Sequence, residues 1–234
     1  MLVGFDPLYL ALVAPAILLS LYASFKVKST FAAYSRVRTR RGLTGAETAQ
    51  AILLANGIND VKVEEVNGFL SDHYDPRHKV LRLSPDVYRG DSLSSVGVAA
   101  HEVGHALQHA DGYAPLRLRS FMVPVASIGS NLAFPLILGG ILLNALGLAY
   151  AGVALFGAIV LFQLVTLPVE FNASSRAIAQ LGNIGVLSNP EEERGSRKVL
   201  SAAALTYVAA AVVALMNLVY WMMRLGLLGG RREE

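Results

Sequence analysis

Hydrophobic and polar positions fall along this chain in long blocks, with little of the short alternation that marks a soluble domain. Residues 7–25, PLYLALVAPAILLSLYASF, carry no charge. They are long enough to cross a bilayer core of about 30 Å, so residues 1–25 are expected to supply a first transmembrane helix; the proline inside it, Pro15, is tolerated in such spans. From Ser120 to Val169 there are 50 consecutive uncharged positions, which as one helix would extend about 75 Å, too far for a single crossing. Residues 120–169 should therefore fold back near Asn144–Gly147, pairing spans at 121–143 and 149–167 as a helical hairpin. A last span covers 199–223, with Arg197, Lys198 and Arg224 at its ends and Tyr220 and Trp221 where amphipathic rings collect. Its helix should begin earlier, because Asn189, Pro190 and Glu191–Glu193 supply a cap, a first-turn proline and acids suited to the helix dipole. A charged tail, 224–234, follows.

The polar block between the first two apolar ones, residues 26–119, is too long and too mixed in pattern to be a loop. Thr44 and Glu47 form a capping-box pattern ahead of Ala46, Ala49, Ile52 and Leu53 at helical spacing, and Asn56–Gly57 close that helix. Val61, Val63 and Val66 alternate with charged residues as a half-buried strand. Phe69–Tyr74 and Lys79–Leu83 read as two more strands around the turn Asp75–Pro76–Arg77. Next comes Ser94–His109, SSVGVAAHEVGHALQH. Ser94 or Ser95 can cap it, Val96, Val98, Ala99, Ala100, Val103, Ala106 and Leu107 give it an apolar packing surface, and His109, Asp111 and Gly112 mark its end.

The 54% hydrophobic and 16% charged composition and the mean hydropathy of +0.48 agree with these blocks and indicate a membrane protein. Net charge is only +3 and the basic residues sit beside apolar segments, which marks topology and argues against a nucleic-acid partner. Residues 26–119 hold 13 Lys and Arg and residues 168–199 hold 4. Asp6 is the only charge ahead of the first span, so the N-terminus is expected outside, with both polar blocks in the cytoplasm. There is no cysteine, so any metal must be held by histidine and carboxylate.

His101, Glu102 and His105 spell H-E-x-x-H. Four helical residues advance about 6 Å and about 400°, which stacks the two imidazoles on one face within reach of one metal ion. Glu102, about 100° away, suits a general base acting on water beside that metal. A catalytic zinc needs three protein ligands and an open position, and Glu170, opening EFNASSRAI at the end of the hairpin, is the candidate third ligand. Two crossings return the chain to its starting side, where Glu170 could meet His105. Residues 170–198 then form a third-ligand helix and cytoplasmic segment. The fold class expected is a mainly α membrane protein, α+β overall, with about four transmembrane helices and a small zincin-like catalytic domain bearing a short sheet and the H-E-x-x-H helix. The zincin assignment is an analogy of element order.

The stretches DHYDPRHKVLRLSPDVY, HEVGHALQHADGY, LPVEFNASSRAI and KVLSAAALTYVAA make the chain from about residue 40 onward resemble the YugP-like neutral zinc metallopeptidases of bacterial membranes. That family is distantly similar to the membrane peptidase HtpX and the CAAX prenyl protease, in which an E-F-x-A-D segment supplies the glutamate ligand. Ser174 stands here where those relatives carry the aspartate expected to orient a histidine. The resemblance implies a membrane-anchored zinc endopeptidase of the bacterial inner membrane, with one zinc ion. Its expected partners are the lipid bilayer and a membrane or membrane-proximal polypeptide. His109, Tyr207, His73 and Arg176 are candidate transition-state donors, and the strand Lys79, Val80, Leu81, Arg82, Leu83 is a candidate edge for a substrate strand. Two other readings use the same motif. One is a site-2-type intramembrane metalloprotease, which places the motif inside a span and takes an aspartate from a later helix. The other is a non-catalytic zinc-stabilised scaffold, which needs a closed four-ligand site.

Overall fold

The computed structural model describes residues 6–68 and 71–228. Helices dominate: α1 Pro7–Tyr34, α2 Gly45–Ala55, α3 Pro85–Tyr88, α4 Leu93–Ala110, α5 Ala114–Leu142, α6 Leu146–Asn183 and α7 Pro190–Arg224. The strands are β1 Lys62–Glu65, β2 His73–Asp75 and β3 Val80–Leu83. Of the expected strand Phe69–Tyr74, Phe69 and Leu70 lie outside the described residues, as does the tail Arg231–Glu234.

Four helices, α1, α5, α6 and α7, are long and apolar enough to cross a membrane. Large apolar side chains on them face outward, with Phe121 78% exposed, an arrangement that only hydrocarbon solvates cheaply. This is an α+β membrane protein. Asn144, with φ of 52°, makes the left-handed turn between α5 and α6, a conformation that asparagine adopts more readily than most residues. The hairpin packs closely: a Cβ on Gly140 would lie 2.4 Å from the Ala149 nitrogen, so only glycine fits there.

The chain divides into two compact units. One comprises the described residues up to Ala23, Leu118–Leu167 and those from Thr206 on; the other comprises Ser24–Arg117 and Pro168–Leu205. Val13, Ile137, Val153, Tyr220 and Trp221 form a buried apolar cluster in the first. Tyr220 also donates to the Asp6 carboxylate at 3.0 Å.

The second unit holds all three strands. Its core joins Ile52 and Leu53 of α2, Leu81 and Leu83 of β3, Val96, Val103 and Leu107 of α4 and Ile178 and Leu181 of α6. The capping box on α2 forms as patterned, with Thr44 Oγ1 accepting from the Glu47 nitrogen at 3.2 Å and Glu47 accepting from the Thr44 nitrogen at 2.8 Å. On α4 the cap differs from expectation. Ser92 takes that place and accepts from the Ser95 nitrogen at 3.1 Å, because the helix starts a turn earlier than its apolar stripe suggests. Ser94 instead donates to the Phe31 carbonyl at 2.8 Å.

Sheet order corrects a second expectation. The strands run β1-β3-β2, with β1 parallel and β2 antiparallel to β3. The stretch Lys79, Val80, Leu81, Arg82, Leu83 is therefore central. Both sides of its ladder are already paired, so it cannot accept a substrate strand. β1 and β2 are the edges.

Candidate metal centre

Each site residue is placed by the packing of α4 against α6. Gly104 sits where the two helices meet: a Cβ there would lie 2.5 Å from the Ala173 carbonyl oxygen. Glycine in H-E-V-G-H thus lets α6 approach closely enough for Glu170 to reach the histidines of α4. Glu170 is 2% exposed. Its Oε2 lies 3.2 Å from His101 Nε2 and 3.5 Å from His105 Nε2. The ligand atoms of His101, His105 and Glu170 all fall within 4.8 Å of one another, and the two imidazole rings stand edge to face, 4.9 Å between centroids.

The outward nitrogens are held as well. His101 Nδ1 pairs with Ser174 Oγ at 3.1 Å, and His105 Nδ1 with Gln108 Oε1 at 3.0 Å. Gln108 is fully buried, and its Nε2 donates to the Val169 carbonyl at 2.8 Å and to Asn172 Oδ1 at 3.0 Å. Arg176 Nε donates to the same Asn172 oxygen at 2.8 Å and its Nη1 to the Asp111 carboxylate.

This chain of bonds has only one polarity. A guanidinium can only donate, so Asn172 must turn its oxygen toward Arg176, and a backbone carbonyl can only accept, so Gln108 must turn its amide nitrogen toward Val169. What remains for His105 is the Gln108 oxygen, which requires the proton on Nδ1. The Nε2 lone pair of a neutral His105 then faces the Glu170 carboxylate.

Electron-pair donors converging in this way repel unless a cation lies between them, and this donor set suits zinc. Burial by itself disfavours the charged form of His105, but the Glu170 hydrogen bond and the charges of Glu102 and Glu170 outweigh it and hold the imidazole above its ordinary value. Positive charge is what these surroundings favour. Two imidazole nitrogens and a carboxylate oxygen fit a zinc ion, and Glu102, 8% exposed, lies on α4 beside them.

Residues 9–226 match the family described as "Putative neutral zinc metallopeptidase". The chain belongs to this family. It is 54% identical over 227 residues to the "Putative membrane protease YugP" of Bacillus subtilis (strain 168), an alignment that covers 97% of this chain and all of that protein. No solved structure matches.

Most of the other candidate residues have definite partners. Ser174 touches His101, so a hydroxyl pairs with that histidine. Arg176 reaches His105 only through Asn172 and Gln108. His109, in the last turn of α4, shares a 2.8 Å hydrogen bond with Tyr74, whose hydroxyl is pushed up to about 12, first by burial and then by the charges of Asp60 and Asp75. His73 lies on β2 and bonds through Nδ1 to the Ser71 carbonyl at 2.8 Å. Tyr207 belongs to α7 in the other unit.

Gly104, Gln108 and Asn172 are the residues that motif reading overlooked. Gln108 carried a signal: with His101 and His105 it occupies positions i, i+4 and i+7, so it is a polar residue on the ligand stripe of α4. Asn172 carried none, since its partners come from the crossing of α4 and α6.

Proposed function

We propose that this protein is a membrane-anchored zinc endopeptidase in which His101, His105 and Glu170 hold the metal and Glu102 is the general base. The observation that carries this reading is the convergence of three donors, buried His105 and Glu170 with half-buried His101, and a further carboxylate side chain, Glu102, on the same helix α4. Three ligands leave a coordination position for water, as in catalytic sites, where a structural site would be closed by a fourth. Family membership supports the same class of chemistry.

When bound, zinc supplies Lewis acidity, lowering the pKa of water toward about 7 and polarising a peptide carbonyl. The chain does the rest. Gln108 and Ser174 keep the Nδ1 atoms of His105 and His101 engaged, so both Nε2 atoms point at one place. The Glu102 carboxylate accepts the proton that the attacking water gives up, then delivers it to the nitrogen of the leaving amine. A polypeptide extended along β2, the edge strand that contacts α4, would gain main-chain hydrogen bonds and lie near the metal helix. His73 and His109 would border that path.

The bias of Lys and Arg toward residues 26–119 and 168–199 supports a site on the cytoplasmic side of a bacterial inner membrane, with the N-terminus outside. Substrates would then be membrane or membrane-proximal polypeptides. The site-2 reading fares less well, because the third donor is the glutamate Glu170. Purified Glu102→Gln should keep stoichiometric zinc and lose casein cleavage by about 10²–10⁴-fold. An unchanged rate would end the enzyme reading, and retained zinc in Glu170→Ala would move the third ligand elsewhere.

A further inference from the structure

A second feature of the unit that holds the metal centre lies in a groove of about 760 Å³ between α1 and α7, within the range of about 300–1,000 Å³ typical of ligand pockets. Its rim carries four cations, Lys26, Arg194, Arg197 and Lys198, and no acidic residue lines it. Arg197 spends part of its guanidinium on Glu193, at 2.7 and 2.9 Å, and Arg194 donates to the Pro190 carbonyl. The Lys26 and Lys198 ammonium groups make no hydrogen bond or ion pair with any described residue; the Lys26 carbonyl accepts from Ser29 Oγ at 3.1 Å. The hydroxyls of Thr30 and Ser201 add donors, and the walls between them are mostly apolar.

The position of these groups along the helices identifies the ligand class. Lys26 is the first charge after the uncharged run 7–25 of α1, and Lys198 the last charge before the uncharged run 199–223 of α7. Both ammonium groups therefore stand at the boundary where hydrocarbon gives way to headgroups. Phe25, which precedes Lys26 on α1, is 71% exposed, so apolar surface is available at the same level of the helix. We propose that this groove binds the headgroup of an anionic phospholipid, with the phosphate between Lys26 and Lys198 and the acyl chains lying along the outer face of α1. A soluble phosphate or an acidic peptide would find the same cations but would gain nothing from apolar walls at membrane depth, whereas a lipid uses both. The site is distinct from the metal centre, and its occupation does not depend on peptide hydrolysis.

The test uses the full chain, purified in mild detergent and incubated with phosphatidylglycerol or phosphatidylcholine, with bound lipid counted by native mass spectrometry. Wild-type protein should retain phosphatidylglycerol in preference to phosphatidylcholine. Lys26→Gln with Lys198→Gln should weaken that retention about tenfold or more, while Lys28→Gln with Lys62→Gln, which removes the same charge outside the groove, should leave it intact. Zinc content equal to wild type certifies that each variant has folded. Equal loss in both pairs would reduce the effect to net charge and overturn the proposal. So would no preference between the lipids, or displacement of the lipid by millimolar inorganic phosphate or by polyglutamate, which would reassign the groove to a soluble anion or an acidic polypeptide.

Discussion

The two units handle polar side chains in opposite ways. In the apolar unit Ser130, Asn131, Thr166 and Asn217 each turn back to the carbonyl four residues earlier on their own helix, at 2.8 Å. Such bonds neutralise a polar group where no water is available and specify nothing about neighbours. The bonds of Tyr220 and Arg224 to Asp6 are exceptions. In the unit with the metal centre the important bonds cross between elements: Gln108 to Val169, Ser174 to His101, Ser94 to Phe31 and the Arg40 nitrogen to Glu192. One unit thus keeps most of its polar groups local, whereas the other joins its elements through specific polar partners as well as through an apolar core. Mutations should separate the two sharply.

The largest effect belongs to the donors themselves. His105→Ala should abolish stoichiometric zinc and casein cleavage together, as read by metal analysis and a protease assay. Gln108→Ala comes next. It leaves the Val169 carbonyl, Asn172 and His105 Nδ1 short of a buried partner, so zinc affinity should fall about 10–100-fold in chelator competition; an unchanged affinity would show that the bond polarity traced from Arg176 does not control His105. Gly104→Ala forces a methyl against the Ala173 carbonyl and should cost about 1–3 kcal/mol in thermal unfolding, with zinc affinity falling as α6 is pushed away. Ser130→Ala, by contrast, should stay within about 0.5 kcal/mol of wild type, because its bond is local.

A pH dependence sharpens the contrast further. The Asp75 carboxyl is held well below the usual carboxylate range, chiefly by the His78 hydrogen bond and then by Arg82, against some opposition from burial. A depressed folded value means that its stabilisation is present above about pH 4 and is lost as pH falls through that folded value. Asp75→Asn should therefore flatten the acid side of the stability profile measured by denaturant unfolding. An equally steep acid limb in the variant would assign acid sensitivity to other carboxylates.

Much of the architecture was legible in one dimension. Uncharged runs of about 20 residues permit only a span, and 50 uncharged positions permit only a hairpin; the observed α5 and α6, turning at Asn144, follow from those lengths. H-E-x-x-H fixed two imidazoles on one helical face for the same reason, since 3.6 residues per turn is a local property. The Thr44–Glu47 capping box was equally local and formed as read.

Non-local pairing was not legible. Which strand is central depends on partners distant in the chain, so the stretch Lys79–Leu83 could look like an edge from its own residues and prove to be the middle of the sheet. The start of α4 at Ser92 was hidden because caps are set by backbone geometry as well as by residue type. The crossing at Gly104, the opposed bonds of Gln108 and the hydroxyl of Ser174 on His101 arise only once α4 and α6 are packed. Helical period and hydrophobic length act within a segment and can be read from it; hydrogen-bond direction and close approach are relations between segments, and folding alone brings those segments together.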